Sequence, residues 1–398
     1  MPKPTPKPPA TKDTTPTQTP VQIMLDQSGW KDLSVKEDPQ PSKDLKNLLR
    51  QRFSDTNVAC LIGSGVSIGE GGPSMGDLWT VIQNVDGFDK AIEATGYKGD
   101  DIEAFLTFCQ MSQELGGNLD ELAGFVQRAE IRITEECRGF KVNSPDLDDH
   151  VRLLRQLAKS NNGFNRPIVF TTNYDLLIER AAARASLPII DGFTSHPPYW
   201  FDGRSFDIDF VRKVPNQREP AFVEGVFHYC KLHGSVNWAS REGEVCRQQT
   251  DKGIMIYPRN SKFQASYQQP FLEMMSRFQG FLRKPNATLF VVGFGFNDDH
   301  LSEPIVAALR TNPQFNLVVA TRSLRKHAGM NGSATTSPNK YLAKLGQAVQ
   351  GGLGTVALID ADFNQFAALI PTMQQQTDEQ KFVELARQVL PPMLGGTA

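Results

Sequence analysis

The run Val58-Ala59-Cys60-Leu61-Ile62 has no polar side chain and passes directly into Gly63-Ser64-Gly65-Val66-Ser67-Ile68-Gly69. A strand apolar at every position is buried on both faces, the condition of a central strand in a parallel sheet. Glycines immediately after such a strand let backbone N–H groups approach a pyrophosphate. The spacing is G-x-G-x-x-x-G, one residue longer than the usual dinucleotide fingerprint, and no G-K-[ST] follows. Alone, this turn fits a plain tight turn or a nucleotide site equally well.

The same strand, turn and helix sequence recurs. Pro167-Ile168-Val169-Phe170 leads through Thr171 into Thr172-Asn173-Tyr174-Asp175, and a helix with Leu176, Leu177, Ile178 and Ala181 follows. Polar groups at the carboxyl end of a parallel strand face the ligand crevice, which places Asn173 and Asp175 there; Asp175 is equally suited to capping the helix. Val226 to Leu232 ends in His233-Gly234, where an imidazole can act as a base near neutral pH. His228 and Cys230 also carry metal-ligating atoms, but alternation along the strand sends them to the face opposite His233, against zinc. Ala287 to Val292 enters Gly293-Phe294-Gly295, whose glycines allow close approach of a ligand, and then Asp298, Asp299 and His300, read as a capped helix start. With further strands expected at 316–321 and 355–359, the fold class is α/β: a Rossmann-like, doubly wound parallel sheet with ligands at the strand carboxyl ends.

Residues 77–160 have helical rather than strand patterns, including a stripe of Leu122, Phe125, Val126, Ala129, Ile133 and Cys137, and are expected to be an inserted helical layer with that stripe in its core. Asp146, Asp148 and Asp149 read as an acidic helix start rather than a metal site. Residues 1–20, with seven prolines, six threonines and three lysines, are expected to be a flexible tail, and 1–40 a tail and lead-in. Ser42 is the expected cap of a helix carrying Leu45, Leu48, Leu49 and Phe53. The main domain is expected to span 41–365, followed by a helical segment at 366–398. Residues 193–227, rich in aromatics around Pro198-Tyr199-Trp200-Phe201, are expected to form a lid or a subunit contact. Five cysteines without a C-x-x-C pair argue against a disulfide scaffold and a ribbon-type zinc site, and indicate reduced thiols in a cytoplasmic protein. A net charge of -2 does not favour a chain that lives on nucleic acid, and the most apolar run, 287–296, is too short for a bilayer.

Taken in order, Gly63-Ser64-Gly65-Val66-Ser67, Thr172-Asn173-Tyr174-Asp175, His233-Gly234 and Gly293-Phe294-Gly295 resemble the sirtuin-type NAD-binding fold, in its bacterial sirtuin-like branch, over roughly residues 40–365. The resemblance implies NAD with its pyrophosphate on the Ser64–Ser67 backbone, its nicotinamide ribose between Asn173 and His233, and Asp175 near the nicotinamide. Gly63, Ser64, Gly65, Val66, Ser67, Asp77, Thr172, Tyr174, Asp175, Gly293, Phe294 and Gly295 are the implied binding residues, with Asn173 and His233 catalytic. Sirtuin deacylases carry a four-cysteine zinc module whose spacing is absent here, and their Pro-Asp-Phe-Arg stretch is replaced by Pro73-Ser74-Met75-Gly76-Asp77. Water is then the default acceptor. The expected activity is that of an NAD+ glycohydrolase needing no metal, an anti-phage effector that depletes NAD. Its expected state is a homo-oligomer partnered by a HerA-type ATPase or an Argonaute-like protein, with nucleic acid engaged only through that partner and no membrane. The alternatives are a non-catalytic NAD or ADP-ribose sensor, and a metal-dependent nucleic-acid-processing subunit using Asp298, Asp299 and His300.

Overall fold

Alternation along each buried strand divides its side chains between two helix layers. In the computed structural model, which describes residues 20–34, 38–114, 119–159, 165–213, 219–256, 268–328 and 339–371, one mixed sheet organises the chain. Its strands are β1 (Gln22–Met24), β2 (Lys31–Asp32), β3 (Asn57–Ile62), β4 (Ile168–Thr171), β5 (Ile189–Ile190), β6 (Phe227–Lys231), β7 (Ala287–Val292), β8 (Asn316–Thr321) and β9 (Val356–Asp360). They lie in the order β2-β1-β9-β8-β7-β3-β4-β6-β5. From β9 to β5 every pairing is parallel, and β1 and β2 close one edge antiparallel. The expected α/β class and largely parallel doubly wound sheet are present.

Leu61, Phe170, Cys230, Leu289, Val291, Leu317 and Leu358 face a core shared with the helices Phe271–Leu282, Asp299–Thr311 and Lys340–Gln350. Cys60, Ile62, Val169, Tyr229, Phe290, Val292 and Ile359 face the other, shared with Gln40–Phe53, Asp148–Lys159, Leu177–Ala185 and Phe363–Leu369. Four helices between β3 and β4, Met75–Gln83, Phe88–Thr95, Ile102–Glu114 and Leu119–Gly139, build a third core around Phe105, Phe125, Ile133 and Cys137. Tyr174 and Val236, from the turns after β4 and β6, are buried in that third core. The helical layer therefore rests on the two turns that carry Asn173 and His233.

Two local expectations change. The first long helix starts at Gln40, with Pro39 at its N-cap and no side-chain cap bond, so Ser42 lies inside the helix. A proline near a helix start needs no N–H partner, which removes the requirement for a capping hydroxyl. β1 and β2, within the segment read as lead-in, are too short to show periodicity, yet Ile23 and Met24 point into opposite cores. In the aromatic stretch, Trp200 is half-buried and bridges Cys246, while Phe193 packs against Phe201 and Trp238 at 5.5 and 5.4 Å. Ile208, Phe210, Val211 and Phe222 remain exposed. The expected tail at 1–20, apart from Pro20, and the terminal segment beyond 371 lie outside the described residues.

Candidate active site

Following β3, β4 and β6, the chain returns to place β7 on the other side of β3, so the turns after β3 and β7 meet where strand order reverses. Gly63 N donates to Val292 O at 3.0 Å and Gly65 N to Gly293 O at 2.9 Å. A Cβ on Gly63 would stand 2.6 Å from Gly293 O, and one on Gly65 2.8 Å from Gly293 Cα. These glycines are required by one turn packing on the other. The Val66 and Ser67 amides are also bonded within the turn, to Gly63 O and Ser64 O.

Beside these turns lies a cavity of about 610 Å³, large enough for most of a dinucleotide. Its walls come from the carboxyl ends of four adjacent strands: Ser64 and Ser67 after β3, Thr172 to Asp175 after β4, His233 after β6, and Phe294, Gly295, Asn297 and Asp298 after β7. The helical layer adds Pro73, Met75, Asp100 to Glu103 and Cys137, which the sequence did not mark as site residues. Gly63, Gly65, Val66 and Gly293 do not line the cavity, nor does Asp77, which is exposed. Asp77 closes a capping box with Ser74, whose hydroxyl and then backbone N–H hold its carboxyl below the usual range.

The polar groups interlock. The Ser67 hydroxyl donates to Asp175 Oδ2 at 2.6 Å and accepts from Asn173 Nδ2 at 2.9 Å. Asn173 Nδ2 also donates to Gly63 O at 3.1 Å, so both amide hydrogens are committed. Its Oδ1 is buried and accepts no hydrogen bond from the described residues, an exception among buried polar atoms. Asp175 Oδ1 accepts from Leu177 N at 2.9 Å; the N-cap position is Leu176, so Asp175 supports the helix start from one residue before the cap. The Tyr174 hydroxyl donates to Ile256 O at 2.9 Å and anchors the turn.

His233 Nε2 lies 3.0 Å from Asp298 Oδ2, both side chains buried. The other oxygen of Asp298 caps the helix Asp299–Thr311 by accepting from His300 N at 2.9 Å. Asp298 therefore lines the cavity beside His233, whereas the sequence offers it as a helix cap or, with Asp299 and His300, as part of a metal cluster. Among the described residues the walls hold five carboxylates, Asp100, Asp101, Glu103, Asp175 and Asp298, and neither Lys nor Arg. Burial pushes the Cys137 thiol up to about 12, so it is a neutral wall group. Among the described residues no group of three or more His, Cys, Asp or Glu side chains is arranged to hold a metal ion.

Residues 167–332 match the SIR2-like domain family. The SIR2-like segment starts beside β4 and includes Asn173, Asp175, His233, Gly293, Gly295 and Asp298; the turn at 63–69 and the helical layer precede it. The chain is similar to a solved structure of Sir2Tm bound to a propionylated peptide, with 14% identity, 77% of this chain and 97% of that chain covered, and a TM-score of 0.34. It is also similar to Sir2 bound to an acetylated peptide, with 13% identity, the same coverage and a TM-score of 0.34. No curated protein matches the sequence.

Two consequences are measurable. Gly234, next to His233, has φ +87 and would drive a Cβ into the Ile254 carbonyl. Gly234→Ala is expected to lower stability by about 2–4 kcal/mol, read by denaturant unfolding. His150 has both ring nitrogens buried, and burial pushes it down to about 4, against the opposing pulls of Asp175 and of a backbone hydrogen bond at Val66. Burial also pushes His228 down to about 4. Unfolded histidine takes a proton near 6.5, so stability is full above that pH and falls as pH drops toward 4, by on the order of 3 kcal/mol per histidine. In His150→Leu this acid limb is expected to be shallower; urea midpoints at pH 7.5 and 4.5 that shift equally in wild type and variant would refute the assignment.

Proposed function

We propose that the cavity binds NAD as substrate and that the chain cleaves the nicotinamide–ribose bond with water, giving nicotinamide and ADP-ribose. The observation that carries this reading is Asn173 Oδ1, a buried acceptor without a partner among the described residues, in one cavity with the His233–Asp298 pair. The SIR2-like match over 167–332 supports the choice of dinucleotide.

The chemistry follows from the leaving group. Nicotinamide in NAD is a cationic pyridinium and departs as a neutral pyridine with the bonding pair, so the site has only to stabilise oxocarbenium character and position water. Asn173 Oδ1 accepts from a ribose hydroxyl or from the water. As the water oxygen bonds to the anomeric carbon, His233 takes its proton, directly or through the ribose 3′-hydroxyl. Asp298, beside Nε2, orients the ring and offsets the charge it gains. The carboxylate-rich wall suits the cationic pyridinium, leaving the Ser64 N–H and the Ser64 and Thr172 hydroxyls to meet the pyrophosphate.

Incubation of the purified chain with NAD and chromatography of the products tests this. One nicotinamide and one ADP-ribose are expected for each NAD lost, with no effect of chelator. Intact NAD with saturable binding would replace the hydrolase with a sensor. The sequence resemblance further supports an NAD-depleting anti-phage role, controlled by homo-oligomerisation and a HerA-type ATPase. NAD turnover with and without that partner tests this control.

A further inference from the structure

Lys231 is 3% exposed at the end of β6, a strand whose neighbouring side chains are apolar or aromatic. A buried ammonium is retained only where its N–H groups are matched, since desolvation costs several kcal/mol. Here three acceptors converge on its three N–H groups. Nζ donates to Tyr174 O at 3.3 Å, to Asp175 O, and to Glu179 Oε1 at 3.1 Å. Glu179 Oε2 in turn accepts from the Tyr229 hydroxyl at 3.2 Å.

The acceptors are not scattered. Two are carbonyls of the turn that carries Asn173, and the third, Glu179, lies in the first turn of the helix after it. Lys231 itself stands two residues before His233. Tyr174 O also accepts from Val236 N at 3.1 Å and Ser235 Oγ at 3.3 Å, which ties the same turn to the chain just beyond His233.

We propose that Lys231 is a positioning residue: through the Tyr174 and Asp175 carbonyls it fixes the spacing between Asn173 and His233, so that amide and imidazole meet one ribose. This inference rests on the reading of the cavity as an NAD-cleaving site. Lys231 lies behind the walls and touches no substrate. Its loss leaves the cavity able to bind NAD but the two catalytic groups out of register.

The test compares the full chain with Lys231→Met, Lys231→Met/Glu179→Gln and Lys231→Arg. The double variant removes the carboxylate that the single change strands, and is expected to fold. Its kcat for nicotinamide release is expected to fall about 30- to 100-fold, the scale of a misplacement near 1 Å, while KM stays within about threefold. Deuterium uptake is expected to rise at 172–177 and 233–237 and not in β3 or β7. Lys231→Arg keeps the charge if the neutral variants do not fold; its planar head cannot meet three converging acceptors, so the same fall is expected. Wild-type kcat in a folded variant, or unchanged uptake at the two turns, would overturn the proposal. Failure of the wild-type chain to release nicotinamide would overturn the hydrolase reading instead, and uptake at the turns would still decide the role of Lys231.

Discussion

Asn173→Ala is expected to reduce NAD cleavage by about 100- to 1000-fold, the scale seen when one preorganised polar contact to a transition state is removed. The cost to folding is smaller. Asn173 donates through Nδ2 to Gly63 O and Ser67 Oγ, and loss of these bonds should destabilise the chain by about 1–2 kcal/mol. The Ser67 hydroxyl remains bonded to Asp175, which limits rearrangement of the turn. Nicotinamide release measured beside thermal unfolding separates the two effects. A variant that unfolds normally and still cleaves NAD at the wild-type rate removes Asn173 from the mechanism.

The sequence displays the site wherever a residue's local pattern forces its position. Val58–Ile62 is apolar throughout, and Ala287–Val292 is so except at Thr288, because both faces of the sheet are covered, so their carboxyl ends, and the turns there, can be placed from the pattern alone. What alternation does not encode is which turns touch. Gly63, Gly65 and Gly293 read as clearance for a ligand, but they provide clearance for each other where strand order reverses. The helical layer supplies Met75 and Asp100 to Glu103 to the cavity, and its docking on Tyr174 and Val236 is a tertiary fact with no periodicity to announce it. Lys231 did carry a signal. A lysine inside Phe227-His228-Tyr229-Cys230-Lys231-Leu232 demands buried partners, and Tyr174, Asp175 and Glu179 are those partners. Asp298 reads in the sequence as a cap or as part of a metal cluster with Asp299 and His300; capping occupies one oxygen, and the approach of the second to His233 depends on β6 and β7 flanking β3 and β4.

Those two functions of Asp298 can be separated. Asn is as good a helix cap as Asp, so Asp298→Asn is expected to keep the bond from His300 N and the helix Asp299–Thr311 while removing the charge beside His233. Stability should change by less than about 1 kcal/mol, but kcat should fall about tenfold or more, because the imidazole loses the group that orients it and offsets its charge. His233→Ala should cost more, about 100- to 10,000-fold, since the base itself is gone. If Asp298 acts only through His233, the double variant His233→Ala/Asp298→Asn is expected to be no slower than His233→Ala alone, because removing the base silences its partner. Single-turnover rates of nicotinamide release complete this cycle. A double variant slower by the product of the two single effects would give Asp298 a role independent of the imidazole, acting on the substrate directly from its place in the cavity wall.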